Sequence, residues 1–257
     1  MLSCLFARWA DMNLWVNNMT ESIWNGFKRL DFVFEGRGCI LICPDNACEG
    51  RKWLYKTEYF DAFPDMEISM LKKGYHLAFM TNTTRMCPES DTDMRPKFCE
   101  YLSEQFGLNS KCALVGMSCG GMQAVYFAAK YPQYVACAYL DAPVMNYLSW
   151  PFALGIGQND CSQEFIDNMG IGLSELINFR NHPIDQKENL FKSGIPIMLI
   201  SGDSDKTVPF CENGQLLWDY YRANNAKIEV IIKPGGDHHP HGLPDNTPIV
   251  EFIQRYY

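Results

Sequence analysis

Short apolar runs along this chain alternate with longer stretches in which apolar residues recur every three or four positions. The short runs at 28–35, 39–43, 76–80, 112–115, 135–140, 195–201 and 227–233 read as strands. Helical spacing occupies 65–73, 94–106, 122–130, 212–223 and 247–256. Alternating strands and helices predict an α/β fold, a mostly parallel sheet covered by helices on both faces. An N-terminal region with Trp9, Trp15 and Trp24 precedes the first strand, and a long loop carries Trp53 and Tyr55 towards the first helix. Residues 143–193 break the alternation. They hold Trp150, Pro151 and amphipathic pieces at 163–169 and 173–179, and predict a short helical lid inside a single domain spanning 1–257. The competing reading is a set of surface helices that only cap the sheet.

The chemistry concentrates at the ends of three strands. The run 112–115 leads into Gly116-Met117-Ser118-Cys119-Gly120, with helical spacing directly after it. A serine on so sharp a strand-to-helix turn is pushed clear of the backbone, and side chains at 116 and 120 would collide with the neighbouring strand and helix. The strand at 195–201 runs into Gly202-Asp203-Ser204-Asp205, and the last strand into Pro234-Gly235-Gly236-Asp237-His238-His239-Pro240-His241. Nucleophile, acid and base thus arrive in the order Ser, Asp, His, each just past an apolar strand. That is where open α/β sheets gather their ligands. Asp203 reads as a brace of its own turn, while Asp141, after the strand at 135–140, reads as a loop anchor that could also serve as the acid. His239 is expected to point elsewhere, its backbone restricted by Pro240, and His241 to line the rim or face solvent. His76 reads as a buried structural residue. A metal site built from the three clustered histidines lacks partners at a recognised spacing, so no metal and no cofactor is expected.

The segments Gly116–Gly121, Gly202–Pro209 and Pro234–His238 resemble the three signature loops of the α/β-hydrolase superfamily. That resemblance implies an α/β-hydrolase fold and a serine hydrolase with Ser118 as nucleophile, His238 as base and Asp205 as acid. It also implies an oxyanion hole made by the N–H of Cys119 and one from the loop after an earlier strand. With that strand placed at 39–43, Ala47 is the expected second donor, with Asp45 and Trp53 beside it; Pro44 has no N–H to give. The segments Arg51–Lys56, Ser149–Pro151 and His238–His241 are further similar to bacterial hydrolases linked to polysaccharide breakdown, although those tend to carry Arg where this chain has Lys56. The expected activity is therefore hydrolysis of small or carbohydrate-linked carboxylic esters, acetyl or feruloyl, with Trp53 and Trp150 as substrate-binding faces. Alternatives are a prolyl-oligopeptidase-like peptidase, an acyltransferase and a non-catalytic binding protein of the same fold.

Composition narrows the partners. A formal charge of −8, without a basic stripe, argues against nucleic acid or an anionic membrane surface. No apolar run reaches the length of a bilayer span. Eleven cysteines, several inside expected strands, suit reduced buried thiols, which together with the short apolar N-terminus favours a cytoplasmic setting; the alternative is a secreted protein whose signal has been removed. The oligomeric state is not legible.

Overall fold

The computed structural model describes residues 19–226 and 228–257. The N-terminal region with Trp9 and Trp15, the start of the expected domain and position 227 lie outside the described residues.

Among the described residues one sheet of nine strands runs in the order β1-β2-β3-β5-β4-β6-β7-β8-β9. The strands are β1 (Thr20–Trp24), β2 (Phe27–Phe34), β3 (Arg37–Cys43), β4 (Trp53–Lys56) and β5 (His76–Met80), then β6 (Cys112–Met117), β7 (Val135–Asp141), β8 (Ile197–Gly202) and β9 (Glu229–Lys233). The first three are antiparallel to one another and β3 is antiparallel to β5, whereas every pairing from β5 to β9 is parallel. Helices α1 (Asp65–Lys72) and α8 (Thr247–Tyr256) cover one face, where Met70 and Phe252 pack on Leu54, Val115, Tyr139 and Ile200. Helices α2 (Glu89–Phe106) and α3 (Cys119–Lys130) cover the other, where Phe98 and Phe127 pack on Leu41, Tyr55, Leu114 and Leu140. This is the α/β-hydrolase fold that the sequence predicts.

Two strands depart from expectation. β1 is a solvent-facing edge with four of its five residues exposed, so it carries no apolar period. β4 lies at the centre of the sheet and is buried throughout, Lys56 included. A four-residue strand buried on both faces does not alternate, and its terminal lysine makes it look like a loop. The chain leaves β4 for β5 on one side, while β6 and its successors build the sheet on the other. The crevice between the carboxyl ends of β4 and β6 is therefore a topological switch point, where such sheets bind ligands.

The insertion between β7 and β8 divides in two. Its first part carries α4 (Ser162–Met169) and α5 (Leu173–Leu176), and buries Tyr147, Trp150, Phe165 and Leu176 in a separate cluster over Cys119 and Met122. Its last helix, α6 (Lys187–Ser193), packs on α3 and sinks Leu190 into the main core, so it belongs to the body. Helix α7 (Gly214–Ala223) follows β8.

Candidate active site

Ser118 stands between β6 and α3 with φ 52° and ψ −118°, a strained conformation for a side-chain-bearing residue. The turn is tight because nothing intrudes on it. A Cβ on Gly116 would lie 2.7 Å from the Gly120 carbonyl oxygen, and one on Gly121 2.5 Å from Pro143 Cβ. Three bonds hold the elbow: the Ser118 N–H donates to Asp141 O at 2.9 Å, and Ser118 O accepts from the N–H groups of Gly121 and Val144. The N–H of Cys119 opens α3, where backbone donors have no helical partner. The Cys119 thiol itself is fully buried, and burial pushes its pKa up to about 12, so it is no nucleophile at neutral pH.

The loops after β8 and β9 are stapled together. Ser204 N donates to Gly236 O at 2.9 Å, Gly235 N to Asp203 Oδ1 at 2.7 Å, and Lys206 N to Asp237 Oδ1 at 3.1 Å. Asp203 thus braces the turn, as expected. Asp205 Oδ1 accepts the N–H groups of Thr207 and Val208, both at 2.8 Å, which aims Oδ2 at His238 Nδ1, also 2.8 Å away. A carboxylate accepts only, so Nδ1 carries the proton and Nε2 accepts from the Ser118 hydroxyl at 3.1 Å. The three side chains come from positions 118, 205 and 238 and form one unbroken chain, with each residue less than one-tenth exposed.

A second pair lies beside it. Asp141, at the end of β7, is wholly buried and accepts from His241 Nδ1 at 2.9 Å, Gly242 N at 2.7 Å and Tyr139 Oη at 2.7 Å. Burial opposes its ionisation, but the His241 hydrogen bond, with Lys233 and the Gly242 N–H, outweighs it and holds the carboxyl below its usual range. His241 is thereby fixed at the rim of the cleft. His239 does not point elsewhere: its ring stacks on Phe63 at 5.6 Å and stands 4.7 Å from the His238 ring and 5.0 Å from that of His241.

Two expected site residues are misplaced. Ala47 sits in the loop between β3 and β4, where Cys48 N donates to Gly74 O and His76 N to Lys52 O, at the amino ends of the parallel strands. That is the edge of the sheet opposite Ser118, so Ala47 cannot donate to an oxyanion there, and Asp45 shares its loop. Trp53 begins β4 at the same edge, is fully buried, and donates its indole N–H to Asn109 O at 2.9 Å. It is core. Trp150 does border the cleft, which holds about 270 Å³ between Tyr59, Phe63, Arg85, Trp150 and the Ser118–His238 pair. Tyr55 and Tyr147 are buried packing residues.

The loop that faces Ser118 instead follows β4. Thr57 N donates to Val115 O, and its hydroxyl to Gly120 O at 2.7 Å, which fastens the loop to the nucleophile turn. Lys56 reaches beneath it to Ala62 O at 2.6 Å and to Glu67 of α1 at 2.5 Å, a buried ion pair rather than a contact for a substrate anion. From the other side Arg95, fully buried, donates to Tyr55 Oη, Asn82 Oδ1 and Gln123 Oε1; Asn82 in turn donates to Thr57 O, and Gln123 to Glu58 Oε2. The Tyr59 hydroxyl faces the Cys119 thiol and the Arg85 guanidinium. Arg85 closes the cleft by pairing with Glu164 of α4 and covering the Trp150 ring at 5.3 Å. A polar run straight after Trp53-Leu54-Tyr55 was the available signal for this loop; the Arg95 network had none, because positions 55, 82, 95 and 123 meet only in the fold.

A model of the prolyl oligopeptidase family matches residues 71–256. The chain belongs to the prolyl oligopeptidase family, within the α/β-hydrolase superfamily. Solved structures agree on the fold. A Bacteroides ovatus protein assigned as dipeptidyl aminopeptidase IV is 16% identical with a TM-score of 0.65, over 93% of this chain and 36% of that one. A puromycin-hydrolyzing peptidase of Mycobacterium tuberculosis is 13% identical at 0.62, over 85% and 36%. The acylaminoacyl peptidase of Pyrococcus horikoshii is 15% identical at 0.66, over 91% and 44%. The chain therefore spans well under half the length of the proteins it resembles. The carbohydrate esterases that the sequence suggested have no counterpart among these structures.

Proposed function

We propose that this chain is a serine peptidase that cleaves amide bonds of short peptides through an acyl-enzyme. The observation that carries the reading is the Ser118–His238–Asp205 hydrogen-bonded chain at the switch point of the sheet. Family membership turns that chemistry towards amides, and the peptidases it resembles favour the same substrate class. His238 takes the Ser118 proton as Oγ attacks the carbonyl, and Asp205 steadies the imidazolium. Cys119 N–H and a donor from the loop after β4, where Tyr59 lines the cleft, receive the oxyanion, each worth about 3 kcal/mol in the transition state. His238 then returns its proton to the leaving amine, and water enters by the reverse path. The cleft is at the small end of ligand sites and walled by Trp150, Tyr59 and Phe63, which suits a short, partly aromatic acyl portion. Esters would pass through the same intermediate.

The test sets aminoacyl, acylaminoacyl and dipeptidyl p-nitroanilides against p-nitrophenyl acetate, acetylated xylan and methyl ferulate. Turnover of an anilide that vanishes in Ser118→Ala is the expected result. Ester cleavage alone, with every anilide inert, would return the chain to the esterase reading.

A further inference from the structure

We propose that His238, His239 and His241 form a trihistidine site for a divalent transition-metal ion of the zinc class, and that filling it switches the enzyme off. The three side chains each present a ring nitrogen, and these atoms all lie within 4.8 Å of one another. Their ring centroids form a near-equilateral triangle of 4.7, 5.0 and 5.0 Å, with each pair of planes close to perpendicular. Three imidazoles round one point are a common zinc donor set. Zn–N bonds of about 2.0–2.1 Å in a tetrahedron place the nitrogens roughly 3.3 Å apart. Of the three, His239 is the freest to adjust, being exposed where His238 and His241 are buried and tied to carboxylates.

The surroundings are those that a metal-binding imidazole needs. Zinc-bound histidines commonly donate their second ring N–H to a carboxylate, which fixes the tautomer and raises the basicity of the ligating nitrogen. Two of the three histidines already do so: His238 to Asp205 at 2.8 Å and His241 to Asp141 at 2.9 Å. Both carboxylates are buried and both histidines line the cleft; with Nδ1 engaged, each ring keeps an Nε2 lone pair, which on His238 accepts from Ser118. The fourth position of a tetrahedron opens towards the cleft, where water would fill it.

Occupation and catalysis exclude each other. The lone pair of His238 Nε2 that a metal takes is the one that accepts the Ser118 proton. Binding breaks that hydrogen bond, leaves the proton on Nδ1, still donated to Asp205, and transfers no electrons. This inhibitory consequence rests on the proposed hydrolase chemistry, whereas the site itself does not.

Two readouts separate them. Cobalt(II) titrated into the full chain and into Ser118→Ala should give the visible absorption of tetrahedral cobalt at one equivalent in both, without the thiolate charge-transfer band that cysteine ligands would add. Zinc chloride should inhibit hydrolysis at the same stoichiometry, reversibly with a chelator. His239→Gln and His241→Gln should each weaken cobalt binding at least tenfold, and shift the half-inhibitory zinc concentration equally, each rate being referred to that variant's own metal-free rate. No tetrahedral cobalt spectrum, a thiolate band, or zinc inhibition unchanged in both variants would overturn the proposal. A cobalt site in a protein with no Ser118-dependent turnover would confirm the site and overturn the hydrolase reading instead.

Discussion

Two aspartate–histidine pairs stand side by side in this molecule, and among the described residues only one has a hydroxyl to act on. Asp205–His238 and Asp141–His241 have nearly the same length, 2.8 and 2.9 Å, and hang from the ends of the neighbouring strands β8 and β7. Their histidines are three positions apart in one loop. What differs is the far side of the ring: His238 Nε2 accepts from Ser118, while His241 Nε2 is left at the rim of the cleft. Their acids differ too. Asp205 is held by the N–H groups of its own turn, whereas Asp141 ties a hydroxyl, a ring and a loop N–H together deep in the sheet. A buried carboxylate–imidazole pair is thus a fastening until a nucleophile is placed at its free nitrogen.

The largest expected effect breaks the comparison at that point. Ser118→Ala should lower kcat/KM by about a millionfold, because without the hydroxyl the first pair is only another fastening. Next come the acids. Asp205→Asn should cost about ten-thousandfold in kcat through loss of the correct tautomer, with the thermal midpoint little changed. Asp141→Asn should reverse that pattern: kcat within about tenfold of the parent, and stability lower by about 2–3 kcal/mol as buried donors lose their acceptor. Steady-state kinetics beside urea unfolding distinguishes the two, and equal kinetic losses would merge the pairs into one machine.

A third buried histidine sharpens the contrast, because His76 has no carboxylate. Its Nδ1 lacks a hydrogen-bond partner among the described residues, and burial, aided by Arg51, lowers its pKa from 6.5 to about 4. Above pH 6.5 the ring is neutral in both folded and unfolded chains. As pH falls towards 4 the unfolded chain takes up a proton that the folded one refuses, so stability declines through that window by up to about 3 kcal/mol. Unfolding free energies at pH 7 and pH 4.5 should differ less in His76→Phe than in the parent; an equal difference would place the titrating group elsewhere.

The triad positions were legible because each follows a strand with a clear apolar run, and strand ends are where such sheets gather their chemistry. The second oxyanion loop was not. Its strand, β4, is four residues long, buried on both faces and closed by a lysine whose charge is hidden against Glu67. Passing over that strand moved the expected donor one strand back, to Ala47, at the wrong edge of the sheet. Trp53 was misread for the same reason. His239 escaped because its place is set by Phe63, 176 positions away in sequence, and the Arg95 network because it joins four separate segments.

One serine is set apart by one of two equivalent-looking pairs. The direct test is to treat the protein with a fluorophosphonate and map the adduct by mass spectrometry. A single adduct on the peptide carrying Ser118, abolished in His238→Ala and retained in His241→Ala, is the expected result. An adduct on another residue, or labelling of Ser118 that survives loss of His238 but not of His241, would contradict the account.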